Sequence, residues 1–212
     1  MKAGERRERA MAHARSDILD AAIRAFATAG LHATTMQGIA REAGYTAASL
    51  YTYFKSKQEI VDAVLNQLTD EYVHVFDEPV PGGLSFRQRF ELVLRRQLEL
   101  AERRRNVFVS FLGEEAGPDA CSAGETSRTF HSNFERRIQR LAEWLSDNAK
   151  AEDLGGQDPD MVARLLFGMA FGLLHQGSEK ARQKSFLDHA PIITDFFFHG
   201  VGGKPKTGAR RR

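Results

Sequence analysis

Residues 34–57, TTMQGIAREAGYTAASLYTYFKSK, read as two short helices joined by a tight turn. Ile39, Ala40 and Ala43 recur at helical spacing, and Thr34 or Thr35 stands where a side-chain oxygen caps the free N–H groups of the first helix. Gly44 ends it, because the residue at this point commonly takes positive φ, which glycine adopts without a Cβ penalty. Thr46 then caps a second helix. Leu50 is placed to bury against Ile39 and Ala43, leaving Thr46, Ala47, Ser49, Thr52 and Tyr53 for an outward face of the kind that enters a major groove. An ordinary helical hairpin shares this local pattern, so the turn alone leaves both readings open.

The residues beyond the turn separate them. Leu50-Tyr51-Thr52-Tyr53-Phe54-Lys55-Ser56-Lys57 resembles the L-Y-x-Y-F-x-S-K signature that ends the DNA-binding unit of TetR-family transcriptional regulators. Thr34-Thr35 and Ile39-Ala40-x-x-Ala43-Gly44 fit the same pattern, and Ile18-Leu19-Asp20-Ala21-Ala22 through Phe26 and Gly30 resembles that family's first helix. Beyond Lys57 the resemblance implies a helical architecture and no particular ligand. By motif position it implies that Thr35, Ser49, Tyr51, Tyr53 and Lys57 contact phosphates, which positions the protein without reading sequence. Base contact then falls to Gln37, Thr46, Ala47 and Ala48. Gln37 suits adenine and Thr46 several bases, but the two alanines offer only methyl contact to thymine. DNA shape and arm contacts are therefore expected to carry a large share of specificity.

Charge is distributed to match. Residues 1–57 hold 9 Lys+Arg against 5 Asp+Glu, residues 58–200 hold 16 against 23, and residues 201–212 hold 5 against none. Positive charge thus gathers where phosphate neutralisation would supply affinity. Arg6, Arg7 and Arg9 precede the first helix on this reading, within reach of the flanking backbone or the minor groove. The C-terminal GGKPKTGARRR has no apolar residue with which to order itself beyond one alanine, and is expected to be a disordered, solvated basic tail.

Composition is ordinary for a globular chain, with 42% apolar and 27% charged residues. The longest apolar run, Leu165–Leu174, falls short of the roughly 18 residues that cross a bilayer, and the N-terminus lacks the apolar segment of a secretory signal. A cytoplasmic protein without membrane contact is expected. Cys121 stands alone and cannot form an internal disulfide.

The rest of the chain is helical in pattern, giving an all-α fold. Ser56 and Glu59 open a helix through Ile60, Val64, Leu68 and Tyr72 towards Phe76. A second runs from Ser85 to Arg105, a third from Asn106 to about Glu115, and Gly117–Thr126 reads as loop. Phe130, Phe134, Ile138, Leu141 and Leu145 mark a long amphipathic helix. After Ala149–Gln157, Asp158 or Asp160 caps MVARLLFGMAFGLLHQ, and Pro191–Val201 forms the last helix. The expected division is a DNA-binding domain over residues 1–57, an effector-binding and dimerisation domain over 58–200, and the tail over 201–212.

The last two helices are apolar on nearly every side and need cover on every side. Gly168 and Gly172 would let a second backbone approach, and Phe196 and Phe197 add apolar surface, so these four are assigned to a homodimer interface. The family resemblance implies the same two-fold bundle, which suits a palindromic double-stranded operator. It also implies an inducer pocket between helices of the second domain. Phe108, Phe111, Phe130, Phe134, Phe167 and Phe171, with His131 and His175 as polar anchors, are the candidate contacts for a small, mostly apolar effector, although aromatics at helical spacing also serve as plain core. The seven histidines lack metal-ligand spacing, and Glu114-Glu115 reads as solvated surface, so no metal, cofactor or catalytic site is expected. The reading is a ligand-responsive repressor. The alternatives are a helical small-molecule-binding or enzymatic protein without DNA binding, and a non-inducible architectural DNA binder.

Overall fold

A computed structural model describes residues 3–107, 110–111, 124–174 and 185–201, and among these no strand occurs. The helices are α1 (Ala3–Ala29), α2 (Met36–Glu42), α3 (Ala47–Tyr53), α4 (Lys57–His74), α5 (Phe86–Arg103), α6 (Gly124–Asn148), α7 (Pro159–Leu174) and α8 (Ala190–Phe196). Short 3-10 turns, Val75–Asp77 and Phe186–His189, follow α4 and precede α8.

Helix ends are set by side chains the sequence places there. Ser56 Oγ accepts from the Glu59 N–H at 3.1 Å, and the Glu59 carboxylate reaches back to accept from Lys55 N–H at 2.8 Å, a capping box displaced by one residue. Ser85 and Gln88 make the undisplaced version at the start of α5, each side chain accepting from the other's backbone N–H, at 3.3 and 2.9 Å. The Asp158 carboxylate accepts from Asp160 N–H at 3.3 Å, with Pro159 opening α7, where its missing N–H costs nothing.

The chain forms two compact units, one of Met1–Asp70 with Arg104–Asn133, the other of Glu71–Arg103 with Phe134–Arg212. In the first, Ile18, Ala22, Phe26, Ile39, Leu50, Phe54, Ile60 and Val64 are wholly buried, and Val107 and Phe111 join them from far along the chain. Each large apolar side chain among them contributes about 1.5–3 kcal/mol by leaving water. Periodicity alone could not bring residues 107 and 111 into the core beneath α1. The second unit packs Phe86, Phe90, Ile138, Trp144, Leu145, Val162 and Ile193 around Phe197.

Three sequence expectations change. Helix α1 begins at Ala3, so Arg6, Arg7 and Arg9 lie within it and do not precede it. Gly124–Thr126 belong to α6 and not to a loop. Residues 191–201 are not one regular helix, because α8 widens into a π turn at Phe197–Val201. The wider turn lets two consecutive aromatics face inward. Phe197 stacks on Phe90 with centroids 4.4 Å apart, while Phe198 meets Phe90 edge-on at 5.5 Å and Phe86 at 5.7 Å. The tail from residue 202 and the segment holding Glu114, Glu115 and Cys121 lie outside the described residues.

Candidate nucleic-acid interface

Two threonines start the paired helices. Thr35 Oγ1 accepts from Gly38 N–H at 3.1 Å and Thr46 Oγ1 accepts from Ser49 N–H at 3.1 Å, each from an extended backbone conformation. Thr34, the other candidate cap, is buried. Its hydroxyl donates to Gly30 C=O at 2.7 Å and so closes the end of α1. Gly44 has φ +76° and turns the chain between α2 and α3, with Tyr45 N–H returning to Ala40 C=O at 2.8 Å. Leu50 is the one buried residue of α3. The rest of that short helix therefore faces outward or sits at its margin.

The assigned contacts divide by exposure. Thr35, Gln37, Thr46, Ala48, Ser49 and Tyr51 are exposed, while Ala47, Tyr53 and Lys57 are half-buried. Tyr51 is 53% exposed, an unusual state for a large aromatic and the most prominent side chain of α3. Tyr53 lies edge-on against Tyr45, centroids 5.8 Å apart, which fixes its ring. The Thr46 hydroxyl, besides capping, donates to Ser49 Oγ at 3.0 Å. Its hydrogen is thus committed within the helix, and the Ser49 hydroxyl is left as the donor that can turn outward. Lys57, assigned to a phosphate contact, has partners within the chain as well. Its ammonium donates to Leu31 C=O at 2.5 Å and His32 C=O at 3.3 Å, tying α4 to the chain just past α1.

One residue with a positioning role gave no signal in the sequence. Arg15 on α1 donates to the Tyr53 carbonyl at the end of α3, stands 3.6 Å from the Glu59 carboxylate, and lies over the Phe54 ring at 4.0 Å. It holds the last turn of α3 and the first turn of α4 to α1. Arg24 does the same for α2 through Glu42 at 2.8 Å. The helix that would enter the groove is therefore fastened at both ends, by its own cap and by Arg15.

The candidate effector residues fall in both units. Phe111 is buried edge-on to Phe26 at 5.9 Å, and Phe130 packs on the same core. His131 is exposed. Phe134 and Phe167 meet edge-on at 4.7 Å in the second unit. Phe171 lies on α7, and Phe108 and His175 lie outside the described residues. In the second unit Arg137 is set against the Tyr72 ring at 4.4 Å, and burial pulls its guanidinium down to about 10, still cationic at neutral pH.

For the dimer residues, Gly168 and Gly172 are exposed, as is Phe196 at 60%. Phe197 is corrected: it has no exposed surface and is core. The residue that shares the outer side of α8 with Phe196 is Ile192, 65% exposed and four positions earlier. Among the described residues no group of three or more His, Cys, Asp or Glu is placed to hold a metal, and no helix is long and apolar enough to cross a membrane.

Comparison with known proteins agrees with this geometry. Residues 18–64, which span the last part of α1 through the first two turns of α4, match the family model of bacterial regulatory proteins, tetR family. The transcriptional repressor KstR2 of Rhodococcus jostii is 38% identical over 85 residues, covering 40% of this chain and 42% of that protein. The chain is thus aligned with well under half the length of that relative. The transcriptional regulator YhgD of Bacillus subtilis is 25% identical over 157 residues, 74% of this chain and 80% of that one. The crystal structure of FadR from Bacillus subtilis in complex with stearoyl-CoA superposes with a TM-score of 0.71 at 17% identity, covering 89% of this chain and 98% of that chain. With a capped α2–turn–α3, a family model over that segment and a fold shared along the chain, residues 18–64 are a DNA-binding domain of the TetR family of transcriptional regulators.

Proposed function

We propose that this chain is a cytoplasmic, homodimeric repressor that binds a palindromic duplex operator through α2 and α3 and leaves it when a small, mostly apolar effector binds. The observation that carries this reading is the outward face of α3, where Ala48, Ser49 and a half-exposed Tyr51 surround a helix held in place by Thr46 and Arg15. Residues 1–57 serve DNA binding, and 58–200 serve effector binding and dimerisation. On the DNA side, Thr35, Ser49, Tyr51 and Tyr53 contact phosphates, Gln37 and Ala48 face bases, and Ala47 lines the groove. Thr46 and Lys57 act chiefly by holding the helices.

Dimerisation is supported by an exposed apolar stripe in the second unit. Met161 and Leu165 are 52% and 55% exposed on α7, and Gly168 and Gly172 continue the same side. Ile192 and Phe196 present a matching pair on α8. Exposed residues of this size at helical spacing mark an interaction surface. An acyl compound is the first effector to try, because a solved structure of similar fold is that of FadR with stearoyl-CoA.

The test is binding to duplex DNA carrying the palindrome nearest the gene's own start, measured across salt concentrations. Wild-type protein should bind with a steep salt dependence, and Gln37→Ala with Tyr51→Phe should weaken it at least tenfold. Salt-independent binding, or no effect of the double substitution, contradicts the assignment. Candidate effectors titrated into that complex should release the DNA only where they favour the arrangement that does not bind it.

A further inference from the structure

Helix α1 is longer than its packing requires. Its first buried residue is Ala14, and Gly4 through His13 are exposed without exception. About three helical turns, roughly 16 Å, therefore project into solvent. Such a segment would be marginal alone, but it propagates from the packed part of α1, so its nucleation cost is already met. It carries Arg6, Arg7 and Arg9 against Glu5 and Glu8, with no large apolar residue but Met11. Arg7 and Met11 continue the side of the helix that holds Ala14 and Ile18, and Arg6, Arg9 and His13 share a neighbouring side.

The position of its root gives the extension a use. Arg15, one residue past the first buried contact, binds the Tyr53 carbonyl and lies over Phe54, so the free part of α1 departs from beside the C-terminal end of α3. That end carries Tyr51 and Tyr53, the side chains aimed at the DNA backbone on the proposed reading. We infer that the exposed turns of α1 form a second DNA-contacting element, in which Arg6 and Arg7 bind phosphates of the duplex flanking the half-site that α3 enters. A segment of that length covers on the order of five base pairs. This rests on the DNA-binding reading above and adds to it a longer footprint and a larger electrostatic contribution from sequence-neutral contacts. It also supplies affinity that the alanines of α3 cannot.

The test compares full-length wild type with Arg6→Ala/Arg7→Ala and Arg6→Lys/Arg7→Lys. Each is measured across salt on two duplexes, one with ten flanking base pairs on either side of the selected operator and one trimmed to the operator itself. On the long duplex the alanine variant should lower the slope of log K against log salt by about 1.8 per protomer, about 0.9 for each phosphate that is no longer neutralised. The lysine variant should retain most of the slope. On the trimmed duplex wild type and alanine variant should agree, and their melting temperatures should be equal, since these turns bury no side chain. An unchanged slope on the long duplex overturns the inference, as does an equal fall on both duplexes, which would signify long-range charge and not flank contact. A lowered melting temperature also overturns it by showing a structural role. If wild type itself fails to bind DNA in a salt-dependent way, the DNA-binding reading fails, and this inference with it.

Discussion

Replacing Arg15 by alanine removes three interactions that converge on the junction of α3 and α4. The guanidinium donates to the Tyr53 carbonyl, one of the acceptors that a helix end leaves without an intrahelical partner. A hydrogen bond with a charged donor contributes about 1.5–3 kcal/mol. The pair with Glu59, at 3.6 Å and with both side chains 40% exposed, adds only about 0–1 kcal/mol because solvent screens it. The stacking over Phe54 at 4.0 Å adds about 0.5–1 kcal/mol. These are not additive, because one group makes all three and water replaces part of what is removed. A net destabilisation of about 2 kcal/mol is expected, or a fall in melting temperature of about 4–8 °C for a chain of this size. Differential scanning calorimetry measures it. DNA affinity should fall as well, through a less ordered α3, with the salt slope unchanged. Arg15→Lys should fall between, since it keeps the charge but loses the planar stacking. A melting temperature within about 1 °C of wild type, with a salt slope reduced by about 0.9, would show that Arg15 grips phosphate and does not hold the helix.

Other expectations can be checked in the same preparations. Gly44→Ala places a Cβ in a left-handed backbone at φ +76° and should cost about 1–2 kcal/mol although no atom crowds the site, read as a lower melting temperature. Gly38→Ala meets only Thr35 Oγ1, at 3.4 Å, and should raise stability by about 0.5–1 kcal/mol through helix propensity. Phe196→Asp with Leu165→Asp should turn dimer to monomer in sedimentation without unfolding the second unit, since neither side chain is buried within the protomer. The Arg140 hydrogen bond at 2.7 Å, with His74 on its other side, holds the Asp77 carboxyl below its ordinary value. That contribution is complete above the unfolded carboxylate range and disappears as pH falls through the lower folded value. Asp77→Asn should accordingly flatten the loss of melting temperature below about pH 4.

What could be read from the sequence followed how local the determinants are. The start of α2, the turn and the start of α3 depend on Thr35, Gly44 and Thr46 acting on residues at most three or four away, so Gly44 and Thr46 could be named directly and the first cap narrowed to Thr34 or Thr35. Arg15 could not be named, because its partners Tyr53 and Glu59 lie 38 and 44 positions on and no periodicity links them. The start of α1 was hidden for a different reason. Its first turns have no apolar side, and a helix segment that buries no side chain leaves no hydrophobic period. In the last helix the run Phe196-Phe197-Phe198 announced burial without saying which ring turns in. The π turn decides it, sending Phe197 to the core and Phe196 to the surface. The Lys57 ammonium was equally hard to place, because its partners, the Leu31 and His32 carbonyls, lie 26 and 25 positions back.

The most direct test of sequence-specific, two-fold DNA recognition by α2 and α3 is selection from a random duplex pool by the full-length protein, followed by sequencing. The expected result is an enriched inverted repeat with half-sites about one helical turn apart, roughly 34 Å, or a little more, in which Gln37→Ala relaxes one position in each half. Recovery of no common sequence, or of a single asymmetric site indifferent to Gln37 and Tyr51, would contradict it.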